Sequence, residues 1–129
     1  MDPVERVKLA HVLFNAGEFD DAIGMVSPDV EYVPPGGQPP VRGADRLREW
    51  MEPDAFDAQQ IEALELRAAN DRVLVHGHAR NRAAASGIEM ELDFWSVWTL
   101  DEDGTIVRIQ TFLRHEEEEA LRAAGLNPQ

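Results

Sequence analysis

The 129-residue sequence has no cysteine, one tyrosine and twelve basic residues against 25 acidic ones. Without cysteine the chain has no disulfide, no thiolate metal site and no cysteine nucleophile, which fits a reducing compartment. It also has no run of eighteen apolar residues and no basic segment leading into an apolar one. We therefore expect neither a membrane span nor a classical secretion signal, and we predict a cytoplasmic protein.

The formal net charge of −13 repels phosphate backbones and anionic lipid head groups, so neither nucleic acid nor membrane is expected as a partner. Part of the acidity is local, in the run from Glu116 to Glu119, which we interpret as the solvated start of a helix. Hydrophobic residues make up 43% of the chain and supply a core, and the length fits a single domain over residues 1–129.

Apolar spacing predicts a helical hairpin at the start of the chain, with helices over residues 3–16 and 19–26. Five prolines within residues 28–40 predict a rigid loop or pocket rim. A third helix is predicted between Gly43 and Pro53.

The rest of the sequence is typical of β structure. Pairing across the turn at 83–87, with Arg82 opposite Glu89, gives one apolar sheet face whose hydroxyls are Ser96 and Thr111, and a second face of paired charges. The predicted segments are one ambiguous strand at 61–68 and three longer strands at 72–82, 88–100 and 105–114.

The charged face also carries aromatic and aliphatic side chains, a mixture that favours a dimer surface. We also expect Arg114 to lie opposite Glu91 on this face. The predicted homodimer contacts are Leu74, His76, Trp95, Val97 and Phe112.

Several short motifs follow one another in a set order: FNAGEFD at 14–20, VEY at 30–32, RG at 42–43, DRV at 71–73, VWTL at 97–100, DGTI at 103–106 and EALRAAGL at 119–126. Together they resemble the SnoaL-like branch of the nuclear transport factor two-like superfamily. The resemblance implies an α+β fold in which a cone-shaped, curved antiparallel sheet wraps around N-terminal helices. It also implies a pocket between sheet and helices, usually in a homodimer.

The family's catalytic groups are replaced in this chain. The general-base carboxylate of ketosteroid isomerase corresponds to Tyr32, its oxyanion-stabilising acid to Ser96, and its helical tyrosine falls near Ala10. The inward aspartate of the epoxide hydrolases and cyclases corresponds to Thr111. A hydroxyl without a basic neighbour cannot abstract a proton, so the established chemistries of the family are disfavoured in this chain. Whether the protein is an enzyme stays open, and no cofactor is expected.

Eight residues are assigned to the pocket. His11 lies on the buried face of the first helix and is either a hydrogen-bonded core histidine or a catalytic base or ligand contact. Tyr32, Ser96 and Thr111 are expected to make polar ligand contacts, and Tyr32 is the second catalytic candidate. The expected apolar wall, as core or as pocket lining, consists of Trp50, Phe56, Phe94 and Trp98.

His76 and His78 fit either a metal site or a row of cross-strand salt bridges. We interpret them as salt bridges and predict no metal, because the pattern supplies no third histidine.

The sequence therefore predicts a small-molecule-binding protein with a mostly apolar conical pocket. Any catalysis is expected to be isomerase, cyclase or dehydratase chemistry on a hydrophobic or polyketide-like substrate, through His11 or Tyr32. The alternative is a non-catalytic dimerisation or accessory module whose cone is filled by its own side chains. The volume of the cavity separates the two hypotheses.

Overall fold

The computed structural model describes residues 2–51 and 56–126, with side chains from residue 59 onward in the second range. Its helices are α1 (Pro3–Asn15), α2 (Phe19–Ile23), α3 (Ala44–Met51) and α4 (Glu117–Ala123). Its strands are β1 (Val26–Val33), β2 (Val41–Arg42), β3 (Phe56–Ala69), β4 (Arg72–Ala83), β5 (Glu89–Leu100) and β6 (Ile106–Leu113).

The strands form one curved, open sheet in the order β2-β1-β6-β5-β4-β3. The predicted α+β roll is confirmed. Neighbouring strands are antiparallel except β1 and β6, which run parallel. In the described ranges no helix is long and apolar enough to cross a membrane.

Helix α1 is fixed at both ends by side-chain hydrogen bonds. At its start, the Asp2 carboxylate accepts from the Glu5 backbone N–H at 2.8 Å, which caps the helix. At its end, the Asn15 amide donates to the Ile61 carbonyl at 2.7 Å and accepts from the Ile61 N–H at 2.8 Å. This pair of bonds satisfies the outward backbone groups of Ile61 on the edge strand β3 and holds the end of α1 against the sheet.

The second helix is shorter than predicted, and a strand occupies the start of the segment predicted as a rigid loop or pocket rim. Helix α2 ends at Ile23, and Val26, expected as its last residue, begins β1. Pro28, the first proline of that segment, lies inside β1 where its register with β6 shifts. Proline cannot donate to a ladder and is tolerated at such an irregularity.

The two main hairpins have the predicted faces. Strands β4 and β5 pair as expected, with Arg82 opposite Glu89. Strands β5 and β6 pair two residues away from the predicted register, so the expected pairing of Arg114 with Glu91 is wrong. Because the side-chain period of a strand is two, this shift leaves the residues of β6 from Arg108 to Leu113 on their predicted faces.

Part of the convex face of the sheet is covered by its own chain. Helix α4 packs Ala120, Leu121 and Ala124 against a buried group formed by Leu74, Trp95, Val97 and Phe112. These four side chains are therefore not free to form the predicted homodimer contact. His76, the fifth predicted contact, stacks on Trp95 with ring centroids 4.4 Å apart. The homodimer itself stays a prediction.

Candidate functional site

A cavity of about 1010 Å³ lies between the helices and the concave face of the sheet. Among the described lining residues the sheet contributes no charged side chain, and the two charged ones, Arg46 and Glu49, are exposed residues of α3. The absence of charge from this sheet face agrees with the alternation of the sequence. The remaining polar lining side chains are His11, Tyr32, Gln38, Gln59, Asn81, Ser96, Trp98 and Thr111.

Gly77 allows the Phe94 ring to lie close to the sheet at part of the cavity floor. It pairs with Phe94 on the neighbouring strand, and a Cβ at position 77 would lie 2.6 Å from Cζ of the Phe94 ring. The ring therefore lies directly over the glycine and against the sheet. Any larger residue at 77 would push the Phe94 ring up into the cavity.

His11 is a neutral, oriented imidazole in the cavity wall. It is 7% exposed, and its Nδ1–H donates to the Val7 carbonyl at 2.8 Å, which leaves Nε2 as the unprotonated nitrogen. Burial lowers the pKa of His11, and the bond to Val7 only partly opposes this shift. In residues 2–51 and 56–126 nothing hydrogen-bonds Nε2, so it can accept a proton or a hydrogen bond from a ligand.

Three hydroxyl groups line the same cavity, and they belong to Tyr32, Ser96 and Thr111 on three neighbouring strands. Thr111 Oγ1 and the Tyr32 hydroxyl lie 3.4 Å apart, and the Tyr32 ring contacts Trp50 with centroids 5.7 Å apart. Ser96 Oγ accepts from the Trp98 indole N–H at 2.8 Å, which leaves the Ser96 proton available. The cavity thus combines hydroxyl donors with one imidazole acceptor.

The structure brings seven of the eight sequence-predicted site residues together around one cavity. The side chain of Phe56 lies outside the described residues. The residues that line the cavity are His11, Tyr32, Trp50, Phe94, Ser96, Trp98 and Thr111. Their roles stay predictions.

Sequence reasoning missed Arg46 and Asn81 in the cavity lining and the part played by Gly77 in its floor. Two features of the sequence could have indicated Arg46 and Gly77. Arg46 precedes Trp50 by four residues, so both lie on one side of α3. The predicted register already placed Gly77 opposite Phe94.

The two strand histidines lie on the convex face, away from the cavity. His78 Nδ1 contacts Asp93 at 2.6 Å and Nε2 contacts Glu91 at 3.3 Å, while Arg80 donates to the same Glu91 oxygen at 2.8 Å. The hydrogen bond to Asp93, followed by that to Glu91, raises the pKa of His78, and the same contacts lower the pKa of both carboxyls. The described residues contain no group of three potential ligands placed to hold a metal ion.

The sheet curves around the N-terminal helices, and a cavity lies between them. This architecture defines the class of nuclear transport factor two-like α+β rolls. Residues 8–109 match the profile of the SnoaL-like domain, and the chain belongs to this family. No curated protein matches the sequence.

Three solved structures illustrate the fold. The epoxide hydrolase/cyclase-like enzyme SalBIII, which acts in pyran ring formation in the polyether salinomycin, is 22% identical over 85% of this chain and 88% of its own, with a TM-score of 0.78. A candidate polyketide cyclase from Xanthomonas campestris pv. campestris is 17% identical over 90% and 96%, with a TM-score of 0.77. A Mycobacterium tuberculosis protein in complex with estradiol-17β-hemisuccinate is 11% identical over 86% and 93%, with a TM-score of 0.74. At these identities the similarity establishes the fold and not the reaction.

Proposed function

We propose that this protein binds a small hydrophobic, ring-bearing molecule of polyketide-like character in its conical cavity. The observation that carries the proposal is a cavity of about 1010 Å³ whose apolar lining holds a few convergent polar groups. Small-molecule sites have this composition and a volume of roughly 300–1,000 Å³. The alternative is a non-catalytic dimerisation or accessory module. Its cone would be filled by its own side chains and would leave no such space.

The fold relatives support the same ligand class. One of them acts in closing a pyran ring of a polyether, and another was crystallised with a steroid ester. Both involve apolar ring systems that carry oxygen atoms. In this chain the Tyr32 and Ser96 hydroxyls would bind such oxygens, and Trp50 and Trp98 would contact the rings.

The chemistry that the site supports is isomerisation, cyclisation or dehydration beside a carbonyl group. His11 Nε2 would take a proton from the carbon next to the carbonyl, and the electron pair of the broken C–H bond would move toward the carbonyl oxygen. The Tyr32 hydroxyl would donate a hydrogen bond to that oxygen as negative charge develops. The lowered pKa of His11 keeps its imidazole neutral and able to act as a base near pH 7.

A thermal-shift series tests the binding. Aromatic and polyketide-like compounds are screened against the wild type, Tyr32→Phe and, as the control on the convex face, His76→Gln. We expect a subset of compounds to raise Tm, because a ligand that binds only the folded state stabilises it. The rise should be smaller in Tyr32→Phe and unchanged in His76→Gln. If no compound raises Tm, or if all three proteins respond alike, binding in the cavity is wrong.

Hydrogen–deuterium exchange at carbon tests the proton transfer separately. 2-Tetralone, a bicyclic aromatic ketone, is incubated with the protein in D₂O and followed by NMR. The wild type should accelerate exchange beside the carbonyl at least tenfold over His11→Gln, within the range of a positioned general base. Equal rates in both proteins would limit the function to binding.

A further inference from the structure

We propose that the ligand carries an anionic group, such as a carboxylate, and that Arg46 holds this group while the rings occupy the cavity. The inference rests on the proposed function and adds the charge of the ligand and its orientation. It follows from the one arginine in the described cavity lining.

Among the described residues, the Arg46 guanidinium has no hydrogen-bond or ion-pair partner, although acidic side chains outnumber basic ones in this chain. Most described arginines pair with a carboxylate, as Arg42 does with Glu31 at 3.0 Å and Arg48 with Asp20 at 3.0 Å. Arg46 makes no ion pair or hydrogen bond with any described residue, although the chain has 25 acidic residues against twelve basic ones. A free guanidinium offers two parallel donors that match a carboxylate.

The distribution of charge in the cavity fixes the orientation of such a ligand. The sheet contributes no charged side chain to the described lining, so an anion placed on the floor would lose its hydration without an ionic partner. Arg46 is solvent-exposed and lies on α3, in the same helix face as Trp50. An amphipathic ligand therefore enters with its apolar rings first and leaves its anionic group at Arg46.

Glu49 is the opposing charge in the lining. It lies three residues after Arg46 on α3, is exposed, and forms no ion pair with the described residues either. Its carboxylate weakens the local positive potential without neutralising the guanidinium directly. Because solvent screens both groups, the preference for an anion should be moderate.

Two fluorescent probes with the same ring system test the inference. 1-Anilinonaphthalene-8-sulfonate carries one sulfonate, and N-phenyl-1-naphthylamine is the same molecule without it. Both are titrated into the wild type, Arg46→Gln, and the control Arg42→Gln, which removes the same charge from an ion-paired arginine outside the cavity lining. The measured quantity is the ratio of the two affinities, which cancels any general loss of binding.

We expect Arg46→Gln to lower the preference for the sulfonate about three- to tenfold, the scale of one partly exposed charged contact. Affinity for the neutral probe should stay unchanged, and Arg42→Gln should leave the ratio within about twofold, since Arg42 is exposed, is already paired with Glu31 and is screened by solvent. Glu49→Gln should raise the preference for the sulfonate probe.

An unchanged ratio in Arg46→Gln, or an equal change in both arginine variants, would overturn the role of Arg46 but not the proposed binding in the cavity. Failure of both probes to bind the wild type would instead overturn the proposed function, and this inference with it.

Discussion

The two faces of the sheet are closed in different ways. On the convex face, α4 presents small side chains, Ala120 and Ala124, which allow a close approach over Trp95 and Phe112. On the concave face, Val7 of α1 joins the core, whereas His11 and Phe14 of the same helix line the cavity. The remaining concave surface lines the cavity.

The histidines of the two faces also differ, in their hydrogen-bond partners and in the direction of their pKa shifts. One of the two imidazoles on the convex face, that of His78, is held between two carboxylates and has a raised pKa. The imidazole on the concave face, His11, is buried with one backbone partner and has a lowered pKa. Satisfied polar groups stabilise a surface, whereas an oriented group with a free lone pair is suited to a ligand. The face that the chain leaves incompletely filled is therefore the one whose imidazole keeps a free lone pair among the described residues.

The largest expected effect is the difference in the free energy of unfolding between two tryptophan variants, one from each face. Trp95→Ala should lower the free energy of unfolding by about 3–5 kcal/mol, because it empties a packed site under α4 and removes the hydrogen bond to the Arg114 carbonyl. Trp50→Ala, at a side chain that is 44% exposed on the cavity rim, should cost about 1 kcal/mol. Urea denaturation measures both. Equal losses would mean that the two faces are equally packed.

A second prediction separates cavity shape from stability. Gly77→Ala should raise the Phe94 ring into the cavity and weaken binding of N-phenyl-1-naphthylamine at least about fivefold. The stability cost should stay below about 1.5 kcal/mol, because the ring has open space to move into and escapes the usual strain of overpacking. Fluorescence titration and urea denaturation report the two quantities. A large stability loss with unchanged binding would show that Phe94 does not border the open space.

The smallest expected effect is a pair of opposite pH dependences. The raised pKa of His78 gives stability that is present below about pH 6.5 and is lost as the pH rises through the folded-state pKa. The lowered pKa of His11 has the reverse sign, because the unfolded state takes up the proton first as the pH falls below about 6.5.

Unfolding at several pH values tests this pair. The stability difference between wild type and His78→Gln should shrink as the pH rises, and that between wild type and His11→Gln should shrink as it falls. Parallel profiles for the two variants would contradict the different environments of the two imidazoles.

The alternation of the sequence was enough to predict which residues share a sheet face, because parity survives the two-residue shift between β5 and β6. It was not enough to predict that α4 covers Trp95 and Phe112, since an amphipathic helix does not specify the surface it packs on. The openness of the cavity was equally hidden. The register placed Gly77 opposite Phe94, but only the folded structure shows that the Phe94 ring lies over the glycine at the cavity floor.

The central claim, that the concave face binds the ligand and the convex face does not, is tested most directly by NMR of the tryptophan indoles. The chain has three tryptophans, and they report on the rim (Trp50), the convex face (Trp95) and the cavity (Trp98). N-Phenyl-1-naphthylamine is titrated into ¹⁵N-labelled protein. We predict that the indole N–H signals of Trp98 and Trp50 shift and that the Trp95 signal stays in place. A shift of Trp95 alone, or no shift at a saturating probe concentration, would contradict the account.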